Sequence, residues 1–270
     1  MELSKSEMMN FYFEDPVKKA TERKLNNSKM KYFYFNEDLE IKTQKNEVLN
    51  GCLLSNNVNL IYNQKVYELN QFDFFFLPPN VNITLKVQSN NSRKCKICLY
   101  SYIINNKVKI AFEIQRFNAN KFIPRGKRSS ERVMATLRTV WTAIRNGYFM
   151  SGFTNIPNES LKQGVITSVN LEDNEDGGIE IYSHIHPEYP EVYIMCIDDN
   201  YYAITQYLIN SKGESVCKDL QDGEGLFFPG ILGHSNFARP YYKQLNYCMY
   251  MWIIPTYGKS ESVSPITLKV

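Results

Sequence analysis

GIEIYSHIHPEYPEVYIMCI, residues 178–197, is the stretch on which the reading of this chain turns. Successive side chains of a strand point to opposite faces, so His184 and His186 share one face and converge on one site. Pro187, Tyr189 and Pro190 make a turn, and EVYIMCI begins the next strand. Glu191 thereby returns beside the two imidazoles. His234, the last of the chain's three histidines, stands at the end of a further Phe-rich strand and a Pro-Gly turn.

Three imidazoles and one carboxylate suit a divalent first-row ion: Zn, Mn, Fe, Ni or Co. The alternative is that the four are unrelated polar residues at strand ends. A chain this poor in histidine, with two of the three in strict alternation, favours the metal reading.

Outward from this stretch the chain reads as short strands broken by Asn, Gly and Pro turns. The first series is MKYFYFN (30–36), VNLIYN (58–63), KVYEL (65–69), DFFFLPPN (73–80), VNITLKV (81–87) and KICLYSYII (96–104). The second is GVITSVNL (164–171), GIEIYSHIH (178–186), EVYIMCI (191–197), YYAITQYLI (201–209), EGLFFPG (224–230) and LNYCMYMWII (245–254). This spacing predicts sandwiches or barrels. Residues 58–87 and 201–234 share a plan of strand, turn, Phe-rich strand and Pro turn, which suggests duplicated barrels. Between the series, Val133, Leu137, Val140, Trp141 and Ile144 recur at helical spacing, with Gly147 as a C-cap, and predict a helix over 129–149. A second helix is expected before about Lys24. A domain boundary is placed near 118–130.

With 270 residues the chain has room for about two domains. Its 43% hydrophobic and 22% charged residues fit a folded core. A net charge of +3 excludes an argument for nucleic acid. The basic cluster Arg125, Lys127 and Arg128 reads as a solvated linker. No apolar run reaches membrane-spanning length and no secretory signal opens the chain, so a cytoplasmic protein with six reduced cysteines is expected. Cys95 and Cys98 form a CxxC without the second ligand pair that structural zinc requires, and read as strand residues.

The residues around the histidines resemble the two motifs of the cupin superfamily. Gly178, His184, His186 and Glu191 fit the first, although its closing Gly is Asp198. Gly223, Pro229 and His234 fit the second, with the inner glycine displaced to Gly230 and the closing Asn replaced by Ala238. All four ligand positions match. This implies an all-β fold of two tandem cupin (jelly-roll β-barrel) domains with a few short helices. Residues 1–125 would form a barrel without ligands, and 126–270 a metal-binding barrel.

A narrower resemblance is to the bicupin uronate isomerases, the 5-keto-4-deoxyuronate and 5-deoxyglucuronate isomerases. NLIYNQKVYELNQFDFFFLPPNVNITLKV (59–87) resembles their first barrel. The four-residue gap before Glu191 in HIHPEYPEVYIM is closer to the 5-keto-4-deoxyuronate branch. The resemblance implies zinc-dependent aldose–ketose interconversion of a deoxy-uronate, a small sugar acid, in a homo-oligomer, with a hexamer among the allowed assemblies. The candidate catalytic residues are Glu191, Tyr193, which shares the inward face two residues past it, and Tyr250 on the last predicted strand. Glu188 and a metal-bound hydroxide are further candidates for the base. Arg239 is the candidate cation for the substrate carboxylate. A metal-dependent dioxygenase, a non-catalytic sugar-binding cupin and a phosphosugar isomerase remain the rival readings.

Overall fold

The computed structural model describes residues 21–25, 28–88, 94–104, 111–117, 137–145, 148–156, 182–187, 191–197, 204–238, 248–254 and 266–269. The chain divides into two compact units, one of Glu14–Asn118 and one that takes in Ala119–Val270.

The first unit contains β1 (Thr21–Leu25), β2 (Ser28–Phe35), β3 (Leu39–Lys42), β4 (Glu47–Ser55), β5 (Val58–Tyr62), β6 (Lys65–Leu69), β7 (Phe74–Leu77), β8 (Asn82–Val87), β9 (Cys95–Ile103) and β10 (Glu113–Gln115). They form a six-stranded sheet, β1-β2-β9-β4-β7-β10, and a four-stranded sheet, β3-β8-β5-β6. Alternation sets the core between them. Leu49, Leu53, Phe75, Leu77, Ile97 and Leu99 from the larger sheet meet Ile41, Val58, Leu60, Leu69, Ile83 and Leu85 from the smaller. Cys95 belongs to this core, and burial pushes its thiol pKa up. Cys98, three residues on, points to the opposite face of β9 and pairs with Cys52 of β4. The CxxC thiols therefore cannot share an ion.

The second unit contains β11 (Leu137–Arg145), β12 (Tyr148–Ile156), β13 (Tyr182–Ile185), β14 (Glu191–Ile197), β15 (Ile204–Ile209), β16 (Ser215–Leu220), β17 (Gly225–Phe228), β18 (Gly233–Ala238), β19 (Cys248–Ile254) and β20 (Ile266–Lys269). Its five-stranded sheets run β11-β12-β19-β14-β17 and β16-β15-β18-β13-β20. Both units are antiparallel in every strand pair described.

The helix expected over 129–149 is not formed where it is described. Residues 137–145 and 148–156 pair as a hairpin, and β12 continues onto β19. Val140, Trp141, Thr142 and Ile144 are β-branched or aromatic, and a neighbouring strand outweighs their incidental helical spacing. Residues 129–136 lie outside the described part. The helix expected before Lys24 is likewise replaced at 21–25 by β1, and residues 1–20 are not described. The described residues contain no helix, so the few short helices expected in the fold are absent from them. No helix among them is long and apolar enough to cross a membrane.

Candidate metal centre

The site forms between the two sheets of the second unit. His184 on β13 lies directly opposite His234 on β18, with ring centroids 4.2 Å apart. His186 follows one step past the end of β13, 4.9 Å from His184 and 5.4 Å from His234. Its position is tied by a backbone bond, His186 N–H to Gly230 O at 2.8 Å. The ligating nitrogens of the three imidazoles lie within 4.8 Å of one another, an arrangement that could hold a metal ion.

Glu191, the first residue of β14, reaches in from the other sheet and is fully buried. One carboxylate oxygen lies 3.3 Å from His186 Nε2 and the other 3.5 Å from His234 Nε2. Ligand atoms ~2.1 Å from a shared ion stand roughly 3–4 Å apart, so these separations fit a four-donor set. His234 Nδ1 lies 3.0 Å from Leu232 O. The proton on Nδ1 is donated to that carbonyl, which leaves the Nε2 lone pair facing Glu191. A ring nitrogen fixed by a backbone carbonyl is the outer-shell pattern that orients metal-ligating histidines.

The protonation states of His186 and Glu191 follow from burial. Desolvation lowers the His186 pKa from 6.5 to about 4, so its imidazole is neutral at pH 7. Desolvation raises the Glu191 pKa well above the usual carboxylate range, and hydrogen bonding from Tyr193 and Trp252 offsets this only in part. A cation among these donors would reverse the penalty on the carboxylate.

Aromatic rings enclose the cluster. Tyr193, two residues past Glu191, lies 5.6 Å from His234 and stacks on Tyr250 at 4.8 Å. Trp252 lies 5.2 Å from His186, and Phe228 4.7 Å from His234. Sequence reasoning had not marked Trp252 or Phe228. Trp252 was within its reach, because it is two residues from Tyr250 on the same strand face. The structure thus brings together His184, His186, Glu191, His234, Tyr193 and Tyr250. Arg239, Glu188, Gly178 and Asp198 lie outside the described residues.

The first unit repeats this frame without the donors. Leu49 pairs with Leu77 as Glu191 pairs with Phe228. Ile41 pairs with Ile83 as His184 pairs with His234. The turn before β7 matches the turn before β17 bond for bond. Asp73 N–H donates to Asn70 O and Leu53 N–H to Asp73 O, just as Glu224 N–H donates to Gln221 O and Met195 N–H to Glu224 O. Phe72 and Gly223 hold the same left-handed backbone, φ 71° and 78°. By this register Ile41, Thr43, Leu49 and Ile83 stand where the second unit has His184, His186, Glu191 and His234. Three are aliphatic core residues, and Thr43 donates its hydroxyl to Pro78 O at 2.7 Å. Gly51, at the position of Tyr193, leaves the space that Phe75 fills.

Two sheets per unit, the repeated frame and a cluster spanning one of the two units define the fold as that of a two-barrel cupin. No family model and no curated protein sequence matches the chain. Solved structures do. AerE from Microcystis aeruginosa aligns with TM-score 0.56 at 11% identity, over 91% of this chain and 99% of that one. Vicilin from Solanum lycopersicum (tomato) aligns with TM-score 0.55 at 8% identity, over 91% and 83%. The formate complex of oxalate decarboxylase from Lactobacillus farciminis aligns with TM-score 0.52 at 10% identity, over 97% and 88%. At these identities the likeness is one of fold.

Proposed function

We propose that the second barrel is a metal-dependent ketol-isomerase site acting on a deoxy-uronate, of the 5-keto-4-deoxyuronate or 5-deoxyglucuronate type. The observation that carries the metal-dependent part of this reading is the buried cluster of three imidazoles and one carboxylate. The substrate class comes from the resemblance of the two sequence stretches to the uronate isomerases. The fold likeness to oxalate decarboxylase supplies no substrate.

His184, His186, Glu191 and His234 would hold the ion, with zinc the first choice and Mn, Fe, Ni or Co as alternatives. Bound there, a divalent cation supplies a Lewis acid for adjacent carbonyl and hydroxyl oxygens, stabilising the negative charge of an enediol-forming transition state. The remaining work falls to the chain. Isomerisation removes a proton from one carbon and returns it to the neighbouring carbon, so a proton-carrying group must stand beside the cluster. Tyr193 is in that position, buried against His234 and stacked on Tyr250, whose ring extends the same face. Glu191 serves as ligand. Phe228 and Trp252 exclude water from the reacting carbons.

The test is an isomerase assay with deoxy-uronate aldoses and ketoses on the purified protein. Interconversion is expected to be abolished by chelation and restored by added metal. Tyr193→Phe is expected to lower kcat about 100-fold while leaving metal content unchanged. Full activity in Tyr193→Phe would remove Tyr193 from proton transfer. Oxygen consumption in place of isomerisation would replace the whole reading with oxygenase chemistry.

A further inference from the structure

Gln206 is a buried polar residue that the four-donor cluster does not use. It lies on β15, two residues before Leu208, which pairs directly with His234. Period-2 alternation therefore puts Gln206 on the same sheet face as His234. The residue is 3% exposed. Its amide orientation is chemically determined. Nε2 donates to Ser235 O at 2.9 Å and to Tyr207 O at 3.1 Å. The reverse orientation would set its oxygen against two carbonyl oxygens. Oε1 is thus fixed as an acceptor, and it is buried with no donor among the described residues. Lys218 stands directly opposite Gln206 on β16 and is half-buried.

We propose that Gln206 Oε1 accepts a hydrogen bond from a hydroxyl of a hexuronate-sized ligand whose other end reaches the three-histidine cluster. This rests on the functional reading above and narrows it to a ligand length. Two residues along a strand span about 6.6 Å, a separation that a two-carbon acid cannot bridge and a hexuronate can. Buried acceptors are ordinarily satisfied, so an acceptor held in place by its own amide protons is one that a ligand completes. Lys218 brings a cation to the same row, which suits an acidic ligand.

Calorimetric titration of the purified full chain with two probes, D-glucuronate and glycolate, tests the assignment. Both can meet the cluster through oxygens on adjacent carbons, but only glucuronate is long enough to reach Gln206 as well. The wild-type protein is expected to bind glucuronate at least about tenfold more tightly than glycolate, a difference of about 1.4 kcal/mol. Gln206→Met is expected to remove that preference, leaving glycolate affinity and metal content unchanged. Equal affinity for the two probes in the wild type overturns the assignment, and this reading needs no variant to fold. So does a variant that keeps the glucuronate preference, or one that weakens both probes alike. If chelated protein still binds glucuronate in a Gln206-dependent way, the metal reading falls and the Gln206 assignment stands.

Discussion

Glu191→Gln is expected to lower metal affinity at least about 100-fold and, in the metal-free protein, to raise thermal stability. The two effects share one cause. Glu191 is fully buried, and desolvation raises its pKa well above the usual carboxylate range. Folded metal-free protein therefore holds a proton on this group at pH values where the unfolded chain has lost it. The sign follows. This contribution is intact below the unfolded value near 4.5 and is lost as pH rises through the folded value. Glutamine keeps the shape and removes the titration. The melting difference between variant and wild type, measured with chelator present, should be near zero below pH 4.5 and grow towards pH 8, at about 2–4 °C per kcal/mol recovered. A variant that binds metal normally, or shows no pH-dependent gain, contradicts the assignment of Glu191.

His186 has the opposite sign. Its pKa falls from 6.5 to about 4, so the unfolded chain binds a proton that the folded one refuses. Stability is complete above pH 6.5 and declines as pH falls towards 4, by up to about 3 kcal/mol. Metal affinity should weaken over the same acid range, because imidazole binds a cation only when neutral.

Gly51→Ala is expected to destabilise the first barrel by about 3 kcal/mol or more. Phe75 lies across Gly51 in the neighbouring strand, and both belong to a closely packed interior. A Cβ at Gly51 would overlap the ring at Cζ and Cε1 and stand only 2.7 Å from Cε2. Phe75 is fully buried, so the ring has no open space to enter. Pairing Gly51→Ala with Phe75→Leu should recover part of the loss, a non-additivity that denaturant titration can read. Additive losses would show that the contact is not the cause. The variant should leave metal stoichiometry unchanged wherever the protein remains folded.

The part of the site that alternation governs was legible in the sequence. His184 and His186 are two residues apart on one strand, and a proline turn returns Glu191, so period 2 suffices. His234 needed the cross-strand register that pairs it with His184. Gln206 and Trp252 obey the same alternation but have no motif to mark them. The filled first barrel was legible only as the absence of histidine. Ile41, Leu49 and Ile83 read as ordinary core residues until strand pairing places them at ligand positions. The hairpin of β11 and β12 was hidden because Val140, Trp141 and Ile144 satisfy helical spacing, and the deciding partner, β19, lies a hundred residues away. β20 was missed because four residues, ITLK, carry too little pattern to compete with a loop.

Elemental analysis of the protein as purified, without added metal or chelator, tests the central claim most directly. The account predicts about one divalent ion per chain, because all three histidines lie in the second barrel, and none in His184→Ala or His234→Ala. Zinc or manganese would fit the isomerase reading, and iron or copper would shift it to oxygen chemistry. No metal even after supplementation, or full metal content in both histidine variants, would contradict the four-donor site.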